Sequence, residues 1–378
     1  MSKRNAGEGS IFQRSDGRWC AQLDLGWQGG KRQRKYIYRA TAAEVQDALL
    51  KARNDHSQGL PVTVERQTVE QFLRDWLENT VKQSVRPATY VSYEHHIRNH
   101  IATEIGRLPL HKLGPQHVRA MLNRKLAAGL SARSAAYLRV ILRAALNQAR
   151  KWNLVVRNAA ELVDPPRCER FRIEPLSPEQ ACALLEAVKG SRLEVLYAVA
   201  LACGLRMGEI LGLRWADIDL EHGRLAVAQA LQRQKGQGLV LTETKTERSR
   251  RTITLPVQLV TALKAHRIRQ LEERLAAGSR WHDGGFVFAS NVGTGLEPRN
   301  LHRAFKTMLA NASLPDIRFH DLRHSAASLM LAQGVPLRVV MEVLGHSSIS
   351  LTANTYSHVM PPLVEDATAK VAGVLFGS

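Results

Sequence analysis

Two runs of helix-breaking residues constrain this chain more than any other feature. Gln58-Gly59-Leu60-Pro61 and Asp164-Pro165-Pro166-Arg167 stop any regular element that reaches them, because proline lacks an amide donor and restricts the residue before it. They cut 378 residues into three stretches with different hydrophobic periods. One core cannot serve them all, since single cores stop growing at about 250 residues. The pattern predicts a multidomain α+β protein. A small three-stranded sheet plus a helix is expected in 1–60, and an all-α bundle in 66–165. Residues 176–378 read as a mixed, mainly α domain with a small antiparallel sheet, and 165–175 as the interdomain linker.

In the first stretch, Ser10–Arg14 and Arg18–Leu25 are β-prone runs joined by the tight-turn signal Ser15-Asp16-Gly17. The second run puts Trp19, Ala21, Leu23 and Leu25 on one face, and Arg18, Cys20, Gln22 and Asp24 on the other. A third run, KRQRKYIY, lines up Arg32, Arg34, Tyr36 and Tyr38. Thr41-x-x-Glu44 then makes a capping box, and Val45, Ala48, Leu49 and Ala52 form an apolar helix stripe that can cover one sheet face. The other face would carry basic and aromatic side chains suited to a DNA groove. The same residues read equally as a solvated edge that discourages aggregation.

The second stretch reads as helix throughout. Thr68 caps a helix with Gln71 at N3, and Val69, Phe72, Leu73, Trp76 and Leu77 follow at helical spacing. Pro87 opens another helix, a third covers about 115–128, and a fourth starts near Ser131. That fourth helix turns Tyr137, Leu138, Ile141, Leu142, Ala145 and Leu146 inward and also carries Arg133, Arg139, Arg143 and Arg150. The third stretch predicts helices at about 178–189, 192–203 and 207–214, strands at 224–230, 239–243 and 250–255, and helices beyond 256.

The charge is as informative as the pattern. Formal net charge is +19, with 53 basic against 34 acidic side chains. The excess is spread: 11 basic to 6 acidic in 1–60, 18 to 9 in 61–170, and 24 to 19 in 171–378. A single basic tail cannot account for that. An extended contact with nucleic acid can, because phosphate neutralisation by Lys and Arg supplies most sequence-independent affinity; a basic surface kept for solubility is the plainer alternative. Cys20, Cys168, Cys182 and Cys203 form no C-x-x-C pair, which argues against a disulfide scaffold or a cysteine zinc site. The longest apolar run, Val195–Leu205, is too short to span a bilayer, and MSKRNAGEGS carries no secretion signal. An intracellular, soluble, multidomain protein in a reducing compartment is expected.

Four short motifs in the last stretch are more specific than its overall pattern. They are Cys203-Gly204-Leu205-Arg206-Met207-Gly208-Glu209, Thr244-Lys245-Thr246-Glu247-Arg248-Ser249-Arg250-Arg251, His320-Asp321-Leu322-Arg323-His324, and Leu344-Gly345-His346 followed by Thr355-Tyr356. Lys235, Arg248, Arg250 and Arg251 are further basic residues close to Lys245. His320 and His324 have a zinc-ligand spacing, but no obvious third ligand accompanies them, and His324 is expected to be a packed helix residue. No metal site and no cofactor is expected; a Walker-type phosphate loop is also absent.

Together and in this order these residues resemble the tyrosine recombinase family, the phage-type integrases. The resemblance spans nearly the whole chain. Residues 176–378 look like the catalytic domain and 66–165 like the helical core-binding domain. Residues 1–60 are similar to the arm-type DNA-binding domain of some members. The resemblance implies that Tyr356 attacks a backbone phosphate, leaving a 3′-phosphotyrosine and a free 5′-hydroxyl. Arg206 and Arg323 would hold the non-bridging oxygens, Lys245 would protonate the leaving oxygen, His320 would act as base, and His346 would donate to the phosphate. Glu209 would buttress the site. The chemistry agrees: a phenol of pKa about 10 needs a base or a positive field, and guanidinium groups suit charge on equatorial oxygens.

The implied function is a site-specific recombinase that integrates or excises a phage or mobile element through a Holliday junction, independently of metal and ATP. Its implied partners are double-stranded DNA at core and arm attachment sites, three further copies in a homotetramer, and DNA-bending or directionality helper proteins. DNA contacts are expected from Arg18, Arg32, Arg34 and Tyr36 in the first domain and from Arg133, Arg139 and Arg143 in the second. A non-catalytic DNA-binding regulator shares the basic surface but gives no reason for the six catalytic positions. A relaxing type IB topoisomerase and a chromosome-dimer resolvase share the chemistry, and the extra N-terminal domain argues against both. Three departures from the family stand out. Cys203 replaces the usual threonine, Asn158-Ala159 replaces the frequent Asn-Pro and predicts a looser linker, and the tail after Tyr356 is short. Leu363, Val364, Val371, Val374, Leu375 and Phe376 could dock that tail on a neighbouring protomer or at home.

Overall fold

The computed structural model describes residues 9–28, 31–57, 67–169, 174–234, 236–243, 250–345 and 375–376. The chain divides into two compact units, Met1–Arg170 and Phe171–Ser378.

The first unit has two separate cores. Strands β1 (Ser10–Gln13), β2 (Trp19–Gln28) and β3 (Lys31–Arg39) form an antiparallel sheet in that order. Helix α1 (Ala42–Ser57) follows, opened by the expected box in which Thr41 and Glu44 bond each other's amides. Ala21, Leu23, Ile37, Val45, Leu49 and Ala52 meet beneath it. Cys20 was expected on the open face, yet it is 1% exposed. The register sets it between Phe12 and Tyr38, and aromatic neighbours on both sides shield a small side chain.

The second core belongs to a helical bundle. It comprises α2 (Val69–Trp76), α3 (Lys82–Ser84), α4 (Pro87–His96), α5 (Ala102–Ile105), α6 (Pro115–Ala127) and α7 (Ala132–Lys151). Wide π-helical turns, Leu77–Val81 and Ile97–Ile101, carry α2 into α3 and α4 into α5. Each shifts the helix face so that both of its end residues stay buried. Phe72, Leu73, Leu138, Ile141 and Leu142 fill the centre. Trp76 stacks on Tyr93 at 6.0 Å, and Tyr93 meets Tyr137 edge-on, so these rings are core rather than base-stacking platforms.

The expected looseness after α7 is not found through Val163. Asn158 is 2% exposed. It donates to the Arg143 carbonyl and to Asn147 Oδ1, and accepts from the Ala160 and Glu161 amides. With both polar atoms of its side chain bonded, the asparagine pins the chain to α7 without help from a following proline.

In the second unit, α8 (Pro178–Ala187), α9 (Glu194–Cys203) and α10 (Met207–Gly212) lead into five short strands. β4 (Ile218–Asp219), β5 (Arg224–Val227) and β8 (Arg251–Thr254) make one sheet, and β6 (Gln229–Gln234) and β7 (Gly238–Glu243) another. The strand expected over 224–230 therefore splits. Its first half turns Leu225 and Val227 to the core beside Ile253, whereas its second half lies against α10. The approach is so close that a Cβ at Gly212 would sit 2.9 Å from the Leu231 amide nitrogen. Helices α11 (Val257–Ala277), α12 (Pro298–Asn311), α13 (Asp321–Ala332) and α14 (Leu337–Leu344) complete the described part. Tyr197, Phe305 and Phe319 pack ring to ring at the centre of this core.

Candidate active site

The site begins where α9 ends. Gly204 caps that helix in the left-handed conformation, φ 59°, and a Cβ there would lie 2.4 Å from Leu344 Cδ2. Both facts exclude a side chain. Two residues on, Arg206 is extended and forms the N-cap of α10. Glu209, at the third helical position, accepts the Arg206 amide at 3.1 Å and the Arg206 guanidinium Nη1 at 2.6 Å. The Arg206 side chain stays 38% exposed, whereas the Glu209 side chain is 4% exposed.

A second cation reaches the same carboxylate. Arg251, the first residue of β8, donates from Nη2 to Glu209 Oε2 at 3.0 Å, and its side chain is only 7% exposed. Burial pushes the Glu209 carboxyl up, but the charge and hydrogen bond of Arg251, followed by Arg206, outweigh it and hold it below the usual range. Glu209 is therefore an anion at neutral pH, as a buttress between two guanidinium groups requires.

Arg323 is among the largest fully buried side chains of the protein. It projects from α13 and donates from Nη1 to the Gly204 carbonyl at 2.7 Å and from Nη2 to the Leu344 carbonyl. One guanidinium thus ties α13 to the turn that launches Arg206 and to the end of α14. Beside it, Asp321 is buried and chelated by Arg318, whose amide and guanidinium both donate to it, so the start of α13 is fixed. His320 sits at that start. Its residue surface is open to solvent, yet packed protein on its inner side desolvates it, and the cations of Arg323 and Arg206 add to the effect. Its pKa is lowered accordingly. The neutral imidazole, a competent base, is the favoured form. His324 meets it edge-on at 5.2 Å and is pushed down to about 4, first by burial and then by His320. Among the described residues no group of three or more His, Cys, Asp or Glu could hold a metal ion.

The structure therefore brings together Arg206, Glu209, His320 and Arg323 from two separate stretches of sequence. Lys245, His346 and Tyr356 lie outside the described residues. Arg251 was not singled out from the sequence, where it stood as one of several basic residues near Lys245. Its position opening a strand, directly before the alternating Thr252-Ile253-Thr254, was the available signal.

Comparison with known proteins bears directly on this arrangement. The Phage integrase family model matches residues 174–361, and the model for the phage integrase N-terminal SAM-like domain matches residues 68–126. A protein named tyrosine recombinase XerC-like, from Caldanaerobacter subterraneus, is 34% identical over 352 residues, covering 88% of this chain and 90% of that one. This chain belongs to the phage integrase family of tyrosine recombinases. It is an enzyme of site-specific DNA recombination. An integrase of Saccharopolyspora erythraea is 28% identical over 427 residues, 98% of each chain. Among solved structures, the Tn1549 transposon integrase with a circular-intermediate DNA superposes with a TM-score of 0.71 at 21% identity, over 81% of this chain and all of that one. A lambda integrase tetramer bound to a Holliday junction gives 0.58 at 18%, over 94% and 96%. These two likenesses establish that the recombinase shares the integrase fold.

The residues expected to touch DNA are placed unequally. Arg34 and Tyr36 are exposed on the open face of the first sheet, with Phe12 and Tyr38. Arg14 lies over the Tyr38 ring at 5.3 Å. Arg18 pairs with Asp16 at 2.8 Å and Arg32 with Asp24, both at the surface, where such pairs are weak enough to exchange for phosphate. Arg133 and Arg143 are exposed on α7. Arg139 is turned instead to the chain after the bundle, donating to the Val163 and Glu161 carbonyls.

Proposed function

We propose that this recombinase cuts and rejoins duplex DNA through a tyrosine nucleophile, Tyr356, served by a cluster built around Arg206, His320 and Arg323. One observation carries the reading: a buried guanidinium, Arg323, grips the backbone turn that aims Arg206, and both cations act on the neutral imidazole of His320. That is an anion-binding pocket with a base at its edge. Arg206 and Arg323 hold the non-bridging oxygens of the scissile phosphate. As Tyr356 attacks, charge builds on those oxygens, and fixed guanidinium donors stabilise it without reorganising. His320 accepts the phenolic proton. The bond to the 5′-oxygen breaks, Lys245 supplies its proton, and the phosphate remains esterified to tyrosine. Reversal by another strand's 5′-hydroxyl completes exchange, with His346 donating to the phosphate throughout.

Residues 66–165 and 176–378 bind the core site, with Arg133 and Arg143 against its backbone. The sheet of 1–60 binds separate arm sites through Arg18, Arg32, Arg34 and Tyr36, which makes the protein bivalent. Four copies act on two duplexes through a Holliday junction, assisted by DNA-bending or directionality proteins, on the nucleoid of a bacterial cytoplasm. Among the described residues no helix is long and apolar enough to cross a membrane. Recombination between two plasmid-borne attachment sites tests the whole scheme. Arg34→Ala with Tyr36→Ala should weaken arm-site binding at least tenfold while leaving core-site cleavage within threefold of the parent. Equal loss at both sites would refute the division of labour.

A further inference from the structure

Two buried arginines from different elements grip successive carbonyls at the end of α14. Arg323 donates to Leu344, and Arg251 donates from Nε to Val343 at 2.5 Å. Each also reaches the turn around Arg206: Arg323 through the Gly204 carbonyl, Arg251 through the Glu209 carboxylate. Two parallel bridges therefore join the same helix end to the same catalytic turn, one before Arg206 in the chain and one after it. α14 then closes on Gly345 in the left-handed conformation, φ 65°, one residue before His346.

We propose that Arg251 is a positioning residue of the active site. It orients Glu209, which aims Arg206 at the scissile phosphate, and it couples that aim to the helix end from which the chain leaves towards His346. This rests on Arg206 being a phosphate ligand. The side-chain type supports the assignment. A buried ion pair is poor at adding stability relative to apolar packing, so an arginine at 7% exposure is better understood through its directional donors. Arg251 uses Nε and Nη2 on two acceptors at once, a fork that a lysine ammonium, a single point on a flexible stem, does not reproduce. Arg206, by contrast, has one Nη on Glu209 and a side chain still open to an incoming anion.

The test compares the full-length parent, Arg251→Lys, Arg251→Gln and Arg206→Ala on a nicked suicide duplex bearing the attachment core. Thermal unfolding, core-site affinity and the single-turnover rate of covalent adduct formation are measured for each. Arg251→Lys is expected to fold and to bind within about threefold of the parent, yet to form adduct at least 30-fold more slowly. On a duplex whose scissile phosphate is an uncharged methylphosphonate, the deficit should shrink to less than fivefold, since there is less charge for Arg206 to meet. A merely structural defect would lower both rates alike. Adduct formation at the parental rate, an equal deficit on both duplexes, or failure of both Arg251 variants to fold would each overturn the proposal. Arg206→Ala separates the two levels. If it reacts like the parent, the phosphate-ligand reading fails first; if it is inactive while Arg251→Lys is not impaired, only the role of Arg251 falls.

Discussion

Replacing Glu209 with alanine should destabilise the second unit by an amount its surroundings fix. The carboxylate lies between Arg206, whose side chain is 38% exposed, and Arg251, at 7%. Arg206 can turn to water, so its share is that of a surface pair, under about 1 kcal/mol. Arg251 cannot, and a buried charge that loses its partner costs about 3–5 kcal/mol. In a unit of roughly 200 residues each kcal/mol moves the melting midpoint by about 2–4 °C, which predicts a fall of roughly 10 °C. Scanning calorimetry of the full chain, following the transition that shifts, reads it directly. Glu209→Gln keeps the shape and should lose about half as much. Acid supplies a second signature. The native Glu209 pKa lies below its ordinary value, so its stabilisation is complete above about pH 4.3 and fades as pH falls through the lowered native value. The gap between parent and Glu209→Gln should therefore close in that acid range. A midpoint lowered by less than about 2 °C in Glu209→Ala, or a gap that persists in acid, would refute the electrostatic account of this carboxylate.

Two further outcomes follow from other parts of the molecule. Asn158→Ala removes four hydrogen bonds from a buried position; at about 1 kcal/mol each, less any water that enters, the helical bundle should lose about 3 kcal/mol, measured by denaturant unfolding, and a loss under about 1 kcal/mol would contradict the clamp. The lowered pKa of His320 means the base is protonated only in acid. The rate of adduct formation with subsaturating recombinase, which reports the free enzyme, should be flat near pH 7 and decline with a midpoint below about 6.5; a midpoint above 7 would exclude His320 as the base.

Much of this was legible from local signals. Capping residues Thr41 and Thr68, the proline opening at Pro87, and the apolar stripes of α2 and α7 placed several helices. The motifs around Arg206 and Arg323 pointed to the candidate site through their order and their resemblance to a known family, since each short run alone is weak. What escaped was tertiary. The π-helical turns at Leu77–Val81 and Ile97–Ile101 preserve an apolar face that a plain helix would also show. The break between β5 and β6 depends on how closely Gly212 lets α10 approach. Arg251 looked like one more cation in a basic hairpin until the fold set it against Glu209 and Val343. Arg139 was read as a DNA contact because it shares a basic helix with Arg133 and Arg143, and only the path of 158–163 brings the Glu161 and Val163 carbonyls to its guanidinium. Asn158 shows the reverse case, where a departure from the family's Asn-Pro suggested looseness and the fold supplied the restraint through hydrogen bonds.

The central claim is that Tyr356 forms a covalent bond to DNA within the cluster of Arg206, His320 and Arg323. A nicked suicide duplex carrying the attachment core, incubated with full-length protein in EDTA and resolved on a denaturing gel, tests it most directly. The account predicts a protein–DNA adduct for the parent, with none for Tyr356→Phe although that variant still binds the duplex. An adduct of equal yield from Tyr356→Phe would contradict it.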